Sequence, residues 1–271
     1  MAGELLADQR LKLGHSPIVD GAGVARRIEA FGRLGLRPGR RLLDVGCGSG
    51  PYSLALSSWF GAVDGIDIEP ERLATFRQRL RSLPPARRAA ITVHEMSGVA
   101  LDFADATFDT IVAIETLEHF DQLHCVLAEL RRVATPDATL LITSPNRWFP
   151  FETHGAQWRG RIIRWPFTLG LPYLKPLHDR LSQARTFTAT SLLVWLAGAG
   201  WRVTGYSYVM PPFDNWAAGR RFLAPLTRRL EKSAFTRVGV SVVLAAEPDA
   251  SGPSTLNWWD AHRRIQALPR R

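Results

Sequence analysis

Residues 42–56 read LLDVGCGSGPYSLAL. A short apolar run feeds three glycines at alternate positions, and a helical pattern begins directly behind them. Glycine accepts positive φ and leaves the backbone bare, so such a turn is tight and lets a ligand lie against the main chain. A chain carrying this junction near its start is committed to a strand–turn–helix unit, and open parallel sheets bind ligands at the carboxyl ends of their strands. The spacing narrows the ligand. A dinucleotide fingerprint needs a third glycine where Pro51 stands, and no Gly-Lys-Ser/Thr follows to make a phosphate loop. The pattern is D-x-G-x-G-x-G, with Asp44 in the end of the strand and Gly46, Gly48 and Gly50 in the turn.

The same alternation continues along the first half of the chain. Residues 24–36 read as a helix, ending near Gly35 with Pro38 beyond. Residues 41–46, 62–68, 90–96, 108–115 and 139–145 read as strands, and 51–60, 70–82 and 121–134 as the helices between them. Pro70 sits at a helix start, where its missing N–H costs nothing. After Pro145 the rhythm breaks into an aromatic, basic, proline-rich stretch, 146–186, with room for one short helix. It resumes with a helix at 188–200 closed by Gly200, a strand at 201–209, a basic elaboration at 210–237 and a last strand at 239–247. The expected fold is α/β: a Rossmann-like, seven-stranded, mostly parallel sheet flanked by helices, with one insertion after strand five and another before the last strand. The expected organisation is an N-terminal segment 1–23, a domain 24–247 and a loosely attached C-terminal tail 248–271.

The second strand ends in GIDIEP, and Asp67 stands 17 residues after Gly50. A carboxylate there accepts hydrogen bonds from both hydroxyls of a ribose. Asp64 competes but falls early in the strand. With LLDVGCGSG, VDGIDIEPERL, TFDTIVAIETLEHF, the helix ending ELRRVATPDATLLI and the strand exit SPN in this order, the sequence resembles the class I S-adenosylmethionine-dependent methyltransferases, of the small-molecule type 11/12 kind. The likeness covers residues 25–145 by motif and 188–247 by pattern. It departs at Thr135-Pro136-Asp137-Ala138, which replaces the usual Pro-Gly-Gly turn before strand five, and after strand three, where Glu95-Met96-Ser97-Gly98 blurs the usual acidic residue.

The resemblance implies S-adenosyl-L-methionine as cofactor. Asp44, Gly46, Cys47, Gly48 and Gly50 would then lie at its methionine portion, with Asp67 on the ribose. Ile68 would rest against the adenine, Met96 or Ser97 would touch the adenine edge, and Glu115 would face the methionine end or the acceptor. Glu118 reads as an ordinary helix-start acid, favoured there by the helix dipole. Methyl transfer from a sulfonium is a direct displacement that rests mainly on alignment, and a base is needed only where the acceptor must lose a proton. His119, after strand four, and His154, after strand five, are the candidate catalytic bases, since imidazole titrates near neutrality. Glu152 with His154 offers two ligands, too few for a metal site, and none is expected.

The layout resembles small-molecule O-methyltransferases, including those of ubiquinone biosynthesis. These share the E-x-L-E-H run and have an insertion after strand five that contacts membrane. The expected activity is methyl transfer to a small-molecule acceptor, with a lipid-tailed quinone precursor as the membrane-associated alternative. Composition bears on that choice. The chain has net charge +9, and residues 147–185 and 220–237 each carry net +5. Such clusters suit an anionic membrane surface or nucleic acid, or form a solvated face. Nucleic acid is disfavoured because no [DNS]PP[YFW] motif follows strand four and no RNA-binding module stands beside the domain. A degenerate, non-catalytic partner would have an eroded glycine turn, and this one is intact. The segment WRGRIIRWPFTLGLPYLKPL (158–177) is expected to fold as a lid, with contact to anionic lipid as a second role. Cys47 and Cys125 form no pair pattern, no apolar run is long enough to span a bilayer, and the N-terminus lacks a secretory signal, so the cytoplasm is the expected location, with peripheral membrane association the alternative.

Overall fold

The computed structural model describes residues 22–163, 167–182, 184–209 and 234–270. Most of the expected N-terminal segment and residues 210–233 of the second insertion, with much of its basic cluster, lie outside them. The core begins with α1 (Ala22–Arg33), β1 (Gly39–Val45), α2 (Pro51–Leu56), β2 (Phe60–Asp67) and α3 (Pro70–Arg81). It continues with a short helix α4 (Pro85–Ala89), β3 (Ile91–Glu95), β4 (Phe108–Ile114), α5 (Leu123–Val133) and β5 (Ala134–Pro145). The insertion holds a hairpin, β6 (Ala156–Trp158) and β7 (Arg161–Ile163), and a helix α6 (Lys175–Leu181). The chain then forms α7 (Ala189–Gly198), β8 (Trp201–Val209), β9 (Ser241–Pro248) and α8 (Trp258–Ala267).

One seven-stranded sheet runs β3-β2-β1-β4-β5-β9-β8. The first five are parallel, and β9 lies antiparallel between β5 and β8. Because side chains alternate between faces, strands covered on both sides must be apolar throughout. That is why these strands read as runs rather than as alternations. Leu43, Ile111, Leu140 and Leu244 enter the layer beneath α5, α7 and α8. Their chain neighbours Leu42, Val112, Leu141 and Val243 enter the layer beneath α1, α2 and α3.

Three sequence expectations change. The Thr135–Ala138 segment is not a turn before strand five but part of it. Phe108 pairs with Ala134 and Thr110 with Thr139, so the extra residues bulge from the strand. The insertion is more structured than one short helix: its hairpin turns through Arg159 and Gly160, both at positive φ, as a two-residue turn requires. The tail is docked. Asn257 caps α8 by accepting from the Asp260 backbone N–H at 2.9 Å, and Ala261 and Ile265 are buried in the core beside α7. The remaining element boundaries agree within a few residues, and β8 spans 201–209 as expected.

Candidate active site

The crevice opens where the sheet order reverses, between β1 and its two neighbours β2 and β4. Gly46, Gly48 and Gly50 all adopt positive φ. Two of them are also sterically required. A Cβ on Gly46 would lie 2.4 Å from Thr116, and one on Gly50 would lie 2.2 Å from the Phe76 ring. The first contact sets the turn after β1 directly against the turn after β4.

Asp67 closes the turn from the side. It is buried at the end of β2, and its carboxylate accepts from the Gly48 N–H at 2.8 Å and the Glu69 N–H at 2.9 Å. One donor per oxygen fixes the carboxylate and leaves a further acceptor site on each oxygen. Ile68 is exposed beside it. Met96 is half-buried, bonded through its N–H to the Asp67 carbonyl, and Ser97 is exposed beyond it. These residues stand together at the carboxyl ends of β2 and β3, beside the turn after β1.

Asp44 and Cys47 lie deeper. Asp44 accepts from the Ser53 hydroxyl at 2.6 Å, and burial, despite that bond, pushes its carboxyl up to about 6. The Cys47 side chain packs against Gly65 of β2, and burial pushes its thiol far up, so the residue offers the crevice its backbone.

The other half of the site follows β4. Glu115 has φ 50 and is locked in place: its carboxylate pairs with Arg27 at 3.1 Å and accepts from Thr143 Oγ1 at 3.0 Å. Burial opposes its ionisation, but Arg27, the Ser241 hydroxyl and His154 outweigh burial and hold Glu115 below the usual range. Arg27 also donates to Ser241 Oγ at 3.2 Å. The helix α1 thus contributes a largely buried cation that no sequence motif singles out.

Glu118 is not an ordinary helix-start acid. The left-handed step at Glu115 leads into a 3-10 turn, Leu117–His119, that turns Glu118 inward. Its side chain is fully buried; neither carboxylate oxygen meets a donor in good geometry, but the neighbouring Ser144 hydroxyl lies close enough to favour the charged form. Burial, then the nearby Glu115, pushes its pKa well above the usual value. The structure brings both candidate histidines to it. His154 Nε2 lies 3.7 Å and His119 Nε2 3.9 Å from Glu118 Oε1, and the two imidazoles meet edge to face at 5.1 Å. Burial, reinforced by His154, lowers His119 to about 3, so it is neutral and a weak base.

Behind His154 stands Glu152, buried, accepting from the His154 backbone N–H at 2.7 Å and lying 3.7 Å from its Nδ1. The other Glu152 oxygen meets His178 Nε2 of α6 at 2.5 Å. Burial would raise Glu152, but the two histidines outweigh it and hold the carboxyl down to about 2. His178 is not a sequence candidate, since no motif in LKPLHDRL sets it apart. A cleft of about 660 Å³ reaches Glu118 and His119 from outside, lined also by Arg147, Lys175, Phe187 and Trp195.

Comparison with known proteins agrees with this geometry. Residues 43–142 match a family described as a methyltransferase domain. The chain is 30% identical over 129 residues to a ubiquinone biosynthesis O-methyltransferase of Xanthomonas campestris pv. campestris (strain B100), covering 46% of this chain and 53% of that one. It spans about half the length of the curated relatives it matches. An S-adenosylmethionine-dependent methyltransferase from Mesorhizobium loti superposes with a TM-score of 0.59 at 16% identity, covering 85% of this chain and 100% of that chain. A geranyl diphosphate methyltransferase in complex with S-adenosylmethionine superposes with a TM-score of 0.57 at 17% identity, over 83% of this chain and 85% of that chain. At these identities the superpositions establish the fold.

Proposed function

We propose that the protein, whose residues 43–142 match a methyltransferase domain, is a class I S-adenosylmethionine-dependent methyltransferase that transfers a methyl group to an oxygen of a small-molecule acceptor. The observation that carries the reading is Asp67. It is a carboxylate buried at the switch point, anchored by two backbone N–H groups, with acceptor capacity left for a ribose. The residues fit the cofactor. Gly46, Gly48 and Gly50 hold the turn in positive φ with no Cβ to crowd a ligand, while Ile68, Met96 and Ser97 would take the adenine. When bound, S-adenosylmethionine supplies an electrophilic methyl whose transfer breaks its bond to sulfur and leaves S-adenosylhomocysteine.

The protein's own part is to orient the acceptor and receive its proton. An acceptor hydroxyl in the cleft beside Glu118 gives its oxygen electron pair to the new C–O bond, and its proton passes to His154 or to solvent. His119, neutral and weakly basic, serves as a hydrogen-bond partner to the acceptor. Oxygen as the acceptor atom follows the O-methyltransferase relatives and the histidines beside an open cleft. The insertion acts as the lid. A second reading, that this lid also rests on an anionic membrane to collect a lipid-tailed acceptor, is favoured by Phe167, 85% exposed, and Leu169, 68% exposed, on the segment that carries Arg159 and Arg161.

The test is equilibrium binding of S-adenosylhomocysteine, with NADH as control. Wild-type protein should bind the former alone, and Asp67→Ala should weaken binding at least about 10-fold, as expected for loss of a charge-assisted pair of hydrogen bonds. Equal affinity in the variant would remove the site assignment.

A further inference from the structure

We propose that Arg147 determines specificity in the acceptor cleft, and that it selects an aromatic hydroxy acid by binding its carboxylate. The inference rests on the methyl-transfer reading for the use made of the bound acid, though not for its binding. Arg147 stands just beyond the end of β5, where the chain leaves the sheet. It lines the cleft of about 660 Å³ that reaches Glu118 and His119.

A strap of residues 185–187 holds Arg147 in place. The Phe187 N–H donates to the Pro145 carbonyl at 2.9 Å, and the Arg147 N–H donates to the Phe187 carbonyl at 2.9 Å. The Arg185 N–H donates to the Glu118 carbonyl at 3.2 Å, so the same strap reaches the turn after β4. The Arg147 side chain is fixed to it as well: Nε donates to Thr186 Oγ1 at 3.3 Å and Nη2 to the Thr186 carbonyl at 3.0 Å. A guanidinium carries five N–H donors in a planar fork. Nε and one Nη2 proton face Thr186, so that edge is taken. Both Nη1 protons and the second Nη2 proton remain. The Nη1–Nη2 end of the fork has the spacing that a planar carboxylate meets with both its oxygens.

The balance of charge in the cleft singles out the same residue. Lys175 and Arg185 also line it, but each has an acid beside it: Lys175 pairs with Asp179 on α6, and Arg185 lies 3.9 Å from Asp121. Glu118 is the remaining acid of the lining, and burial raises its pKa, which favours the neutral form. Arg147 is half-buried and meets no carboxylate among the described residues; its partner is the neutral Thr186. A cation so placed is stabilised by an anion brought in by a ligand. The rest of the lining suits a flat ring. Trp195, 39% exposed, and the buried Phe187 face the same cleft, and apolar or aromatic rings pack on such side chains. Its volume lies within the roughly 300–1,000 Å³ of small-molecule sites. An aromatic ring with a hydroxyl toward Glu118 and His119 and a carboxylate on Arg147 satisfies all of these features.

The experiment titrates the full chain with 4-hydroxybenzoate and with its neutral methyl ester, read by saturation-transfer difference NMR. Binding of S-adenosylhomocysteine is measured in parallel for every protein. Wild type should bind the acid at least about 10-fold more tightly than the ester, which offers no charge-assisted hydrogen bonds. Arg147→Met should abolish that preference. Arg147→Lys should keep only part of it, because an ammonium retains the charge without the planar fork. Trp195→Ala should weaken both ligands and leave their ratio unchanged. Equal affinity for acid and ester, or binding of neither, in wild type that binds S-adenosylhomocysteine would overturn the proposal and leave the methyltransferase reading standing. So would a preference that survives Arg147→Met. Should Arg147→Met lose S-adenosylhomocysteine as well, Arg147→Lys decides, and a ratio equal to that of wild type overturns the proposal. The expected preference in a wild type without affinity for S-adenosylhomocysteine would support the carboxylate site and sink methyl transfer alone.

Discussion

Asp44 shows how a single residue beneath the glycine turn couples the site to stability. It lies 1% exposed beneath the turn with the Ser53 hydroxyl as its partner, and its folded pKa is raised from 3.8 to about 6. A raised carboxyl favours folding only while it is protonated. Its stabilising effect is therefore complete below about pH 4, declines as pH rises through 6, and leaves a folded state about 3 kcal/mol poorer above that. Asp44→Asn keeps an acceptor for Ser53 and cannot ionise. Urea unfolding of both proteins from pH 4 to 7 should show wild type losing stability relative to the variant across that window. Parallel curves would show that the carboxyl is ionised throughout. The residue scale also separates what the sequence reveals from what it hides. The placement of the glycines and Asp67 is legible because it follows from local geometry: positive φ in a strand–helix turn, and a carboxylate at a strand end. Arg27, Glu118 and His178 are not, because each acquires its role from a contact made by tertiary packing. Glu118 even carries a plausible local excuse as a helix-start acid, which its burial overrides.

Among the elements, the strands were readable because each is a short apolar run buried on both faces. The errors collect where local pattern gives way to packing. The bulge in β5 is set by pairing with β4, and the tail helix α8 is fixed by α7. A loosely attached tail and a docked helix differ in a measurable way. The Asn257 side chain caps α8 at the Asp260 N–H, and Ile265 lies in the same core as Leu196 and Trp201. If that core folds as one unit, Asn257→Ala should lower global stability by about 1 kcal/mol. That corresponds to a fall in Tm of about 2–4 °C for a domain of this size. A detached tail would fray on its own and leave the main transition where it was. The insertion gives a parallel lesson. Its composition announces an elaboration, yet the part that matters to the site, α6 delivering His178 to Glu152, depends on a meeting of residues 26 positions apart that no periodicity encodes.

At the scale of the whole molecule, one of the two basic clusters and several exposed apolar side chains fall together on the insertion after β5, and their conjunction makes the membrane reading testable. Among the described residues no helix is long and apolar enough to cross a membrane. Phe167 and Leu169 project from the lid, Trp158 stands exposed with the Arg159 guanidinium 5.9 Å over its ring, and Arg161 follows on the same hairpin. A water-facing lid would gain nothing from such side chains. On an anionic surface each arginine near the headgroups contributes about 1 kcal/mol, and each apolar side chain that enters the interface adds a comparable amount. The expected outcome is co-sedimentation with vesicles containing phosphatidylglycerol, little with phosphatidylcholine alone, and release as salt screens the attraction. The double substitution Phe167→Ser and Leu169→Ser should lower partitioning at least about 10-fold, since two apolar anchors are removed at once. It should also leave binding of S-adenosylhomocysteine intact, because neither residue lies in the Asp67 crevice or in the Glu118 cluster. Equal partitioning of wild type and variant, or no preference for the anionic lipid, would make the insertion a lid alone. The acceptor would then have to reach Glu118 from water.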